Sequence, residues 1–233
     1  METLIAWFAE IHWVAVIQII LIDILLGGDN AVVIALACRN LDPSLRFKGV
    51  VYGAAGAILL RVILIAFAVT IMNIPFLKFI GALLLLWIGI KLIVPQEEGE
   101  HEIHASKRLW GAIKTIIVAD LVMSLDNVIA IAGAAEQAPA GHQMALVIFG
   151  LLVSVPFILG GSQIFLKLID RYPIIVYAGG ALLGWIAGTL TVSDPGVLEY
   201  VPQAESWHTP AGIVGALIVL LIAFGFRAIK KKV

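Results

Sequence analysis

The stretch Ile19–Ala35, IILIDILLGGDNAVVIA, decides how the chain is read. It is apolar enough to cross a membrane, yet it carries Asp23, Asp29 and Asn30. A charged side chain at bilayer depth costs from about 3 to more than about 10 kcal/mol, so acids in such a segment line a site or a pathway. The pattern then recurs. Ile116–Ala132, IIVADLVMSLDNVIAIA, places Asp120, Asp126 and Asn127 at the same spacing: an Asp, six residues to a second Asp, then Asn. Two copies of a costly pattern point to one shared purpose.

Outside these stretches the composition is that of an integral membrane protein. Of 233 residues, 61% are hydrophobic and 13% charged, with a mean hydropathy of +1.06; soluble domains lie nearer half apolar and about a quarter charged. A net charge of −1 gives no long-range pull on nucleic acid, so no nucleic-acid partner is expected. Cys38 is the single cysteine, which excludes an internal disulfide or a thiolate metal cluster within one chain. Glu2 and Glu10 precede the first apolar run with no Lys or Arg among them, so that run reads as a retained helix rather than a cleaved signal.

A spanning helix needs roughly 20 mostly apolar residues. The sequence predicts seven: His12–Cys38, Phe47–Met72, Ile74–Val94, Leu109–Ala135, Gln143–Leu168, Tyr172–Thr191 and Ala211–Arg227. Two longer connectors intervene, Pro95–Lys107 with His101 and His104, and Val192–Pro210 with acids, prolines and Trp207. In a seven-helix arrangement 13 of the 15 basic residues fall on one side, which predicts an outside N-terminus and a cytoplasmic C-terminus. The other two are Lys78, near the outer end of the third helix, and Arg61, in the middle of AILLRVILIA.

The duplication extends beyond the acidic motifs. Displaced by 97 to 98 residues, Val51-Tyr52-Gly53 matches Ile148-Phe149-Gly150, and FIGALLLLW (Phe79–Trp87) matches YAGGALLGW (Tyr177–Trp185). Each copy then holds three helices, and an odd number makes the second enter from the opposite face. The fold expected is an all-α polytopic membrane protein of seven transmembrane helices, an inverted 3+3 repeat plus one extra C-terminal helix. Its parts are residues 1–94 and 109–191 as the repeats, 95–108 as a cytoplasmic loop, 192–210 as an outer loop, and 211–233 as the seventh helix with a basic tail.

On an ideal helix, residues seven apart lie about 20° from one another and residues six apart about 120°. Asp23 and Asn30 therefore share a face, as do Asp120 and Asn127, whereas Asp29 and Asp126 turn away. A local break could bring all three residues of a motif together; Gly27-Gly28 sits where such a break is cheapest and would release backbone carbonyls as further ligands, whereas Ser124-Leu125 in the second copy predicts a straighter helix. Four carboxylates and two amide oxygens, Asp23, Asp29, Asn30, Asp120, Asp126 and Asn127, suit a hard or borderline divalent cation such as Mn²⁺, Mg²⁺ or Ca²⁺. Four buried charges cannot all stay ionised, so either some are protonated or Arg61 compensates one as a counter-ion or gating partner. Coupling to H⁺ or Na⁺ follows from that competition.

The segments LIDILLGGDNAVVIALACRNL and ADLVMSLDNVIAIAGAA resemble those of the TerC family of bacterial integral membrane proteins, and the short chain is similar to its YjbE-like branch. The resemblance covers the first helix through the sixth. It implies kinship with the LysE superfamily of exporters and a role in Mn²⁺ efflux, or in supplying Mn²⁺ to exported enzymes; the tellurium-resistance phenotype behind the family name is not taken to define the substrate. The function expected is thus a non-enzymatic, multi-pass transporter of the cell inner (plasma) membrane. It would move Mn²⁺ through a midplane site between helices 1 and 4, without an organic cofactor. Its partners are the divalent ion and the lipid bilayer, with a homodimer left open.

Other readings compete. The acids and Arg61 would be structural if they only paired with one another, and Asn30 and Asn127 would be helix bridges. Gln18, Thr115, Ser154, Ser162 and Gln163 read as helix contacts, Trp87 and Trp185 as packing or interfacial anchors, and the acidic loop QEEGEHEIH, like Glu199, Glu205 and His208, as solvated surface rather than a metal sensor. An exporter of an amino acid or other small solute of the LysE type is the main alternative. An intramembrane aspartyl protease fits less well, because Leu26 stands at the first glycine position of a GxGD motif and no Pro-Ala-Leu element occurs. A retinal photoreceptor would need a lysine inside the last helix, which has none there.

Overall fold

The computed structural model describes residues 13–72, 74–94, 105–139 and 141–230. Glu2, Glu10, His101, His104 and the end of the basic tail lie outside them. Every regular element among the described residues is helical: α1 (Trp13–Leu26), α2 (Gly28–Cys38), α3 (Pro43–Ala66), α4 (Ala68–Met72), α5 (Leu77–Ile93), α6 (Ala105–Ala135), α7 (Gln143–Arg171), α8 (Ile174–Val192), α9 (Pro195–Tyr200), a 3₁₀ turn (Pro202–Trp207) and α10 (His208–Lys230). Among apolar neighbours a helix is the form that satisfies its own backbone.

Five stretches are long and apolar enough to cross a bilayer, and the bent pair α1–α2 makes a sixth when taken as one span. The expected third span falls short. Pro75 and Phe76, whose backbone is left-handed at φ 62°, delay the start of α5 to Leu77, which leaves 17 residues. The expected second span also ends early, at Ala66, and resumes after Phe67 as the short α4.

The motif helices pack crosswise. α1 lies against α7, and α3 against α6. At the first crossing Ile19 fills the groove over Gly150, where a Cβ would come within 2.5 Å of Ile19 Cγ2; at the second, Ile116 occupies the groove over Gly53, where a Cβ would overlap Ile116 Cδ1. Ile19 and Ile116 hold corresponding places in the two motifs, and Gly53 and Gly150 correspond as well. Around these contacts gather buried Ala, Val, Ile and Leu side chains, with Ala15, Ile19, Ile131 and Leu151 fully covered. α5 packs on α8, and α10 covers α8, its Gly212 lying under the Trp185 ring.

The connector 192–210, expected as a loop, is mostly helical. Its organiser is Asp194, which is fully buried. Its carboxylate accepts from the N–H groups of Gly196 (2.8 Å) and Val197 (3.1 Å), capping α9 with Pro195 in the first turn. The same carboxylate accepts from Phe76, Lys78 and Phe79 N–H at 2.9 to 3.2 Å, so one acid closes two helix N-termini. Gly196 lies against the Phe76 ring, and that ring stacks on Tyr200.

Two expectations follow. Asp194→Ala strands five N–H donors and is expected to lower stability by on the order of 3 kcal/mol, read as a drop in the melting temperature in detergent, with Asp194→Asn recovering part. Gly150→Leu drives a side chain into Ile19 and is expected to cost about 3 kcal/mol; adding Ile19→Ala should return part of it, a coupling that independent sites would not show.

Candidate functional site

The α1–α2 break falls at Gly27, and the two helices meet at 47°. A Cβ on Gly27 would overlap the Asp23 carbonyl, which already accepts from the Gly27 N–H at 2.8 Å, so only glycine fits. Gly28 has open space around it. In the second motif Ser124-Leu125 continues the helix, and α6 runs unbroken for 31 residues, as its residues predicted.

Where these helices meet α3 and α7, charge is buried. Arg61 of α3 and Asp23 of α1 are 2% and 1% exposed, and Asp120 of α6 and Asn30 of α2 are also buried. The Arg61 guanidinium donates through Nη1 to Asp23 Oδ1 and through Nη2 to Asp120 Oδ1, the latter at 2.5 Å. Its Nε donates to Ser124 Oγ at 3.0 Å, and that hydroxyl donates to Asp120 Oδ2 at 3.2 Å. Ser154 Oγ of α7 donates to Asp23 Oδ2, and Asn30 Nδ2 donates to Asp120 Oδ1 at 2.9 Å. All four oxygens of Asp23 and Asp120 therefore have donors. This is what keeps two acids tolerable in an apolar interior. One guanidinium against two carboxylates still leaves a negative charge in excess.

The remaining motif residues sit elsewhere. Asp29 is half-buried; its Oδ1 accepts from the Asn30 backbone N–H at 2.9 Å, and no ion pair holds it among the described residues. Asp126 is exposed and paired with Lys78, Nζ to Oδ1 2.5 Å. Asn127 Nδ2 reaches the Leu26 carbonyl, released by the break, at 3.4 Å. The structure thus gathers Asp23, Asn30, Asp120 and Arg61, and it does not draw Asp29 or Asp126 into that group. Among the described residues no three His, Cys, Asp or Glu side chains lie close enough to hold a metal by themselves.

One atom within the group has no hydrogen-bond partner. Asn30 Oδ1 is buried, and no donor reaches it among the described residues. Turning the amide over would place that oxygen against Asp120 Oδ1, so the arrangement is fixed. A buried carbonyl oxygen without a donor is costly, and it is also a hard ligand atom.

Ser154 and Ser124 were not read from the sequence as site residues. Ser124 had a signal, since it stands one turn after Asp120; Ser154 had none, because its contact crosses between helices. Gln18 is a helix contact as expected, bonded to Gln137 at 2.8 Å, while Thr115 and Ser162 bond to carbonyls of their own helices.

The chain matches the model of the "Integral membrane protein TerC family" over residues 8–232. It is 38% identical to the "Uncharacterized membrane protein YjbE" of Bacillus subtilis over 94% of this chain and 98% of that one. It is also 25% identical to YceF of the same organism, over 94% and 82%, and 26% identical to the "UPF0053 protein YegH" of Escherichia coli, over 73% of this chain and 35% of that one. No solved structure matches it. On the breadth of the family match and the near-complete overlap with YjbE, this multi-pass membrane protein belongs to the TerC family.

Proposed function

We propose that the protein carries a divalent metal cation across the membrane through the site formed by Asp23, Asn30 and Asp120, with Arg61 as the cation's competitor. One observation carries the reading: acids from the two copies of one motif converge on a single buried guanidinium, beside the donorless oxygen of Asn30. A guanidinium is a monovalent cation fixed to the chain, and an arriving M²⁺ would exchange for it between the same carboxylates. The donors are all oxygen, which favours Mn²⁺, Mg²⁺ or Ca²⁺ over softer ions. Mn²⁺ as the ion and efflux as the direction rest on the family resemblance.

Asp29 is the motif acid with no ion pair among the described residues, half-buried beside Asn30, and its carboxylate is a further oxygen ligand for the ion. Exchange at Asp23 and Asp120 also gives coupling a physical basis: whichever acid loses Arg61 must take up a metal, a sodium ion or a proton. The reciprocal Ile19–Gly150 and Ile116–Gly53 crossings are what an inverted repeat would produce and support that architecture; seven helices, an outside N-terminus and a cytoplasmic C-terminus in the inner membrane rest on the hydropathy and the distribution of basic residues in the sequence.

Elemental analysis of purified protein dialysed against Mn²⁺ is expected to show bound metal that Asp23→Asn with Asp120→Asn removes, and proteoliposomes should take up Mn²⁺. Indifference of that uptake to a pH gradient would remove proton coupling; transport of an amino acid that survives Asp29→Asn with Asp126→Asn would favour the small-solute exporter instead. Arg61→Met leaves two buried carboxylates facing each other and is expected to cost about 3 to 5 kcal/mol. Excess Mn²⁺ should return about 2.7 kcal/mol at a hundred times its Kd, seen as a melting-temperature rise larger than in the wild type. A rise no larger than in the wild type would show that metal does not replace the guanidinium.

A further inference from the structure

Lys78 is the cation that this reading leaves unexplained. It stands in the first turn of α5, at the positive end of the helix dipole, where a lysine weakens a helix rather than steadying it. A long basic side chain near the end of a membrane helix ordinarily stretches towards water. Lys78 does not: its side chain is 11% exposed, and its Nζ is held 2.5 Å from Asp126 Oδ1, although Asp126 itself is 52% exposed. Its backbone is fixed as well. Asp194, from the connector that follows the second copy, accepts from Lys78 N–H at 2.9 Å and from Phe76 and Phe79 on either side. The chain thus has a lysine locked at its root and turned inward onto an accessible acid of the second motif.

Arg61 and Lys78 together put one tethered cation on each acid of that motif, Asp120 and Asp126. They differ in access. Arg61 is enclosed by the protein, whereas in the Lys78–Asp126 pair the Asp126 carboxylate is half uncovered. Both cations belong to the first half of the chain, and a shift of 97 or 98 residues finds only apolar side chains in the second.

We propose that Lys78 is a built-in competitor for the cation at Asp126, a gate at the exposed end of the ion path that a divalent ion displaces and a monovalent ion does not. This rests on the reading of the protein as a divalent-cation carrier. The physical argument is one of charge. An ammonium tethered beside its carboxylate faces sodium with an ion of equal charge, and the tether favours the ammonium. A divalent ion brings twice the charge to the same oxygen and can displace it. Asp126 then filters by valence before an ion reaches the deeper pair, and Asp194 acts as the positioning residue that keeps Lys78 in reach.

The test is equilibrium Mn²⁺ binding to the full-length protein in detergent, with and without excess Na⁺. Lys78→Met keeps the stem and removes the charge. It is expected to tighten Mn²⁺ binding roughly fivefold or more, the equivalent of one partly exposed ion pair, and to make binding sensitive to Na⁺. Lys78→Arg should behave as the wild type, and Asp126→Asn should weaken binding. Damage to packing would not raise affinity, so a gain separates gating from a structural role; Lys78→Gln carries the same expectation if Lys78→Met does not survive purification. Wild-type binding with Lys78→Met and Lys78→Gln unchanged in affinity and Na⁺ response overturns the gate and leaves the carrier standing. A wild type that binds no divalent ion removes the carrier, and the gate with it.

Discussion

The rest of the structure depends on the burial of Arg61, because Asp23 and Asp120 are placed by helices that could not otherwise bring two acids together away from water. Breaking such a cluster by removing its cation costs about 3 to 5 kcal/mol, a large part of a typical domain's stability. The planar fork of the guanidinium suits this position, since it reaches one carboxylate with each terminal nitrogen and spends its Nε on Ser124. A lysine would offer a point charge and no third arm. Through that one group α3 is joined to α1 and α6, while Ser154 adds α7 and Asn30 adds α2, so five helices meet at a polar centre and pack outward from it through alanine, valine, isoleucine and leucine.

The two motifs are alike in sequence and unlike in structure, and the difference comes down to two positions. Gly27 allows the helix to turn by 47°, which carries Asn30 to Asp120 and leaves Asp29 beside its own backbone. Ser124 in the matching region keeps α6 straight and is itself used, bridging Arg61 to Asp120. With no break, Asp126 stays on the outer face of its helix, where Lys78 meets it. The copies also exchange bonds: the first-motif Asn reaches a second-motif Asp, and the second-motif Asn reaches the carbonyl that the first-motif break sets free. Both asparagines bridge helices, and the oxygen of Asn30 remains free to do more.

Much of this is legible in the residues themselves. Hydropathy gives the helices, because each must be apolar over most of its length; spacing marks Asp23, Asn30 and Asp120 as members of one buried group; and Gly27-Gly28 gives the break. What could not be read depends on contacts between segments far apart in the chain. Nothing local marks Ser154 as a partner for Asp23, or Lys78 as a partner for Asp126, since both arise from helix crossings. Asp194-Pro195 does carry the local mark of a helix start, yet the surrounding prolines and acids look like a loop, and its second role, closing α5 as well, has no trace in its own neighbourhood. Five spans, or six with the bent pair, meet the length and hydropathy requirement among the described residues, and the expected third is shortened for a related reason: Pro75 and the left-handed Phe76 start α5 late although the hydropathy continues through them.

Where the molecule can change shape follows from the same contacts. Close glycine–isoleucine crossings bind α1 to α7 and α3 to α6 with little room for sliding, since packed interfaces of this kind resist gradual deformation. α6 has no break, so Asp120 cannot leave Asn30 by a bend in its own helix. The joint at Gly27 is different. The helix is interrupted there, a Cβ added at Gly28 would meet open space, and hydrogen bonds from Asn30 to Asp120 and from Asn127 to the Leu26 carbonyl join the two sides to the second motif, beside the Arg61 bridge from Asp23 to Asp120. Asn30 lies on the α2 side of Gly27 and Asp23 on the α1 side, so the contacts of Asn30 with Asp120 and of Asp23 with Arg61 and Ser154 belong to separate segments of the bent pair. The bend thus divides the charged centre, with Asp23 before it and Asn30 after it, at a glycine whose Cβ position is filled by the Asp23 carbonyl.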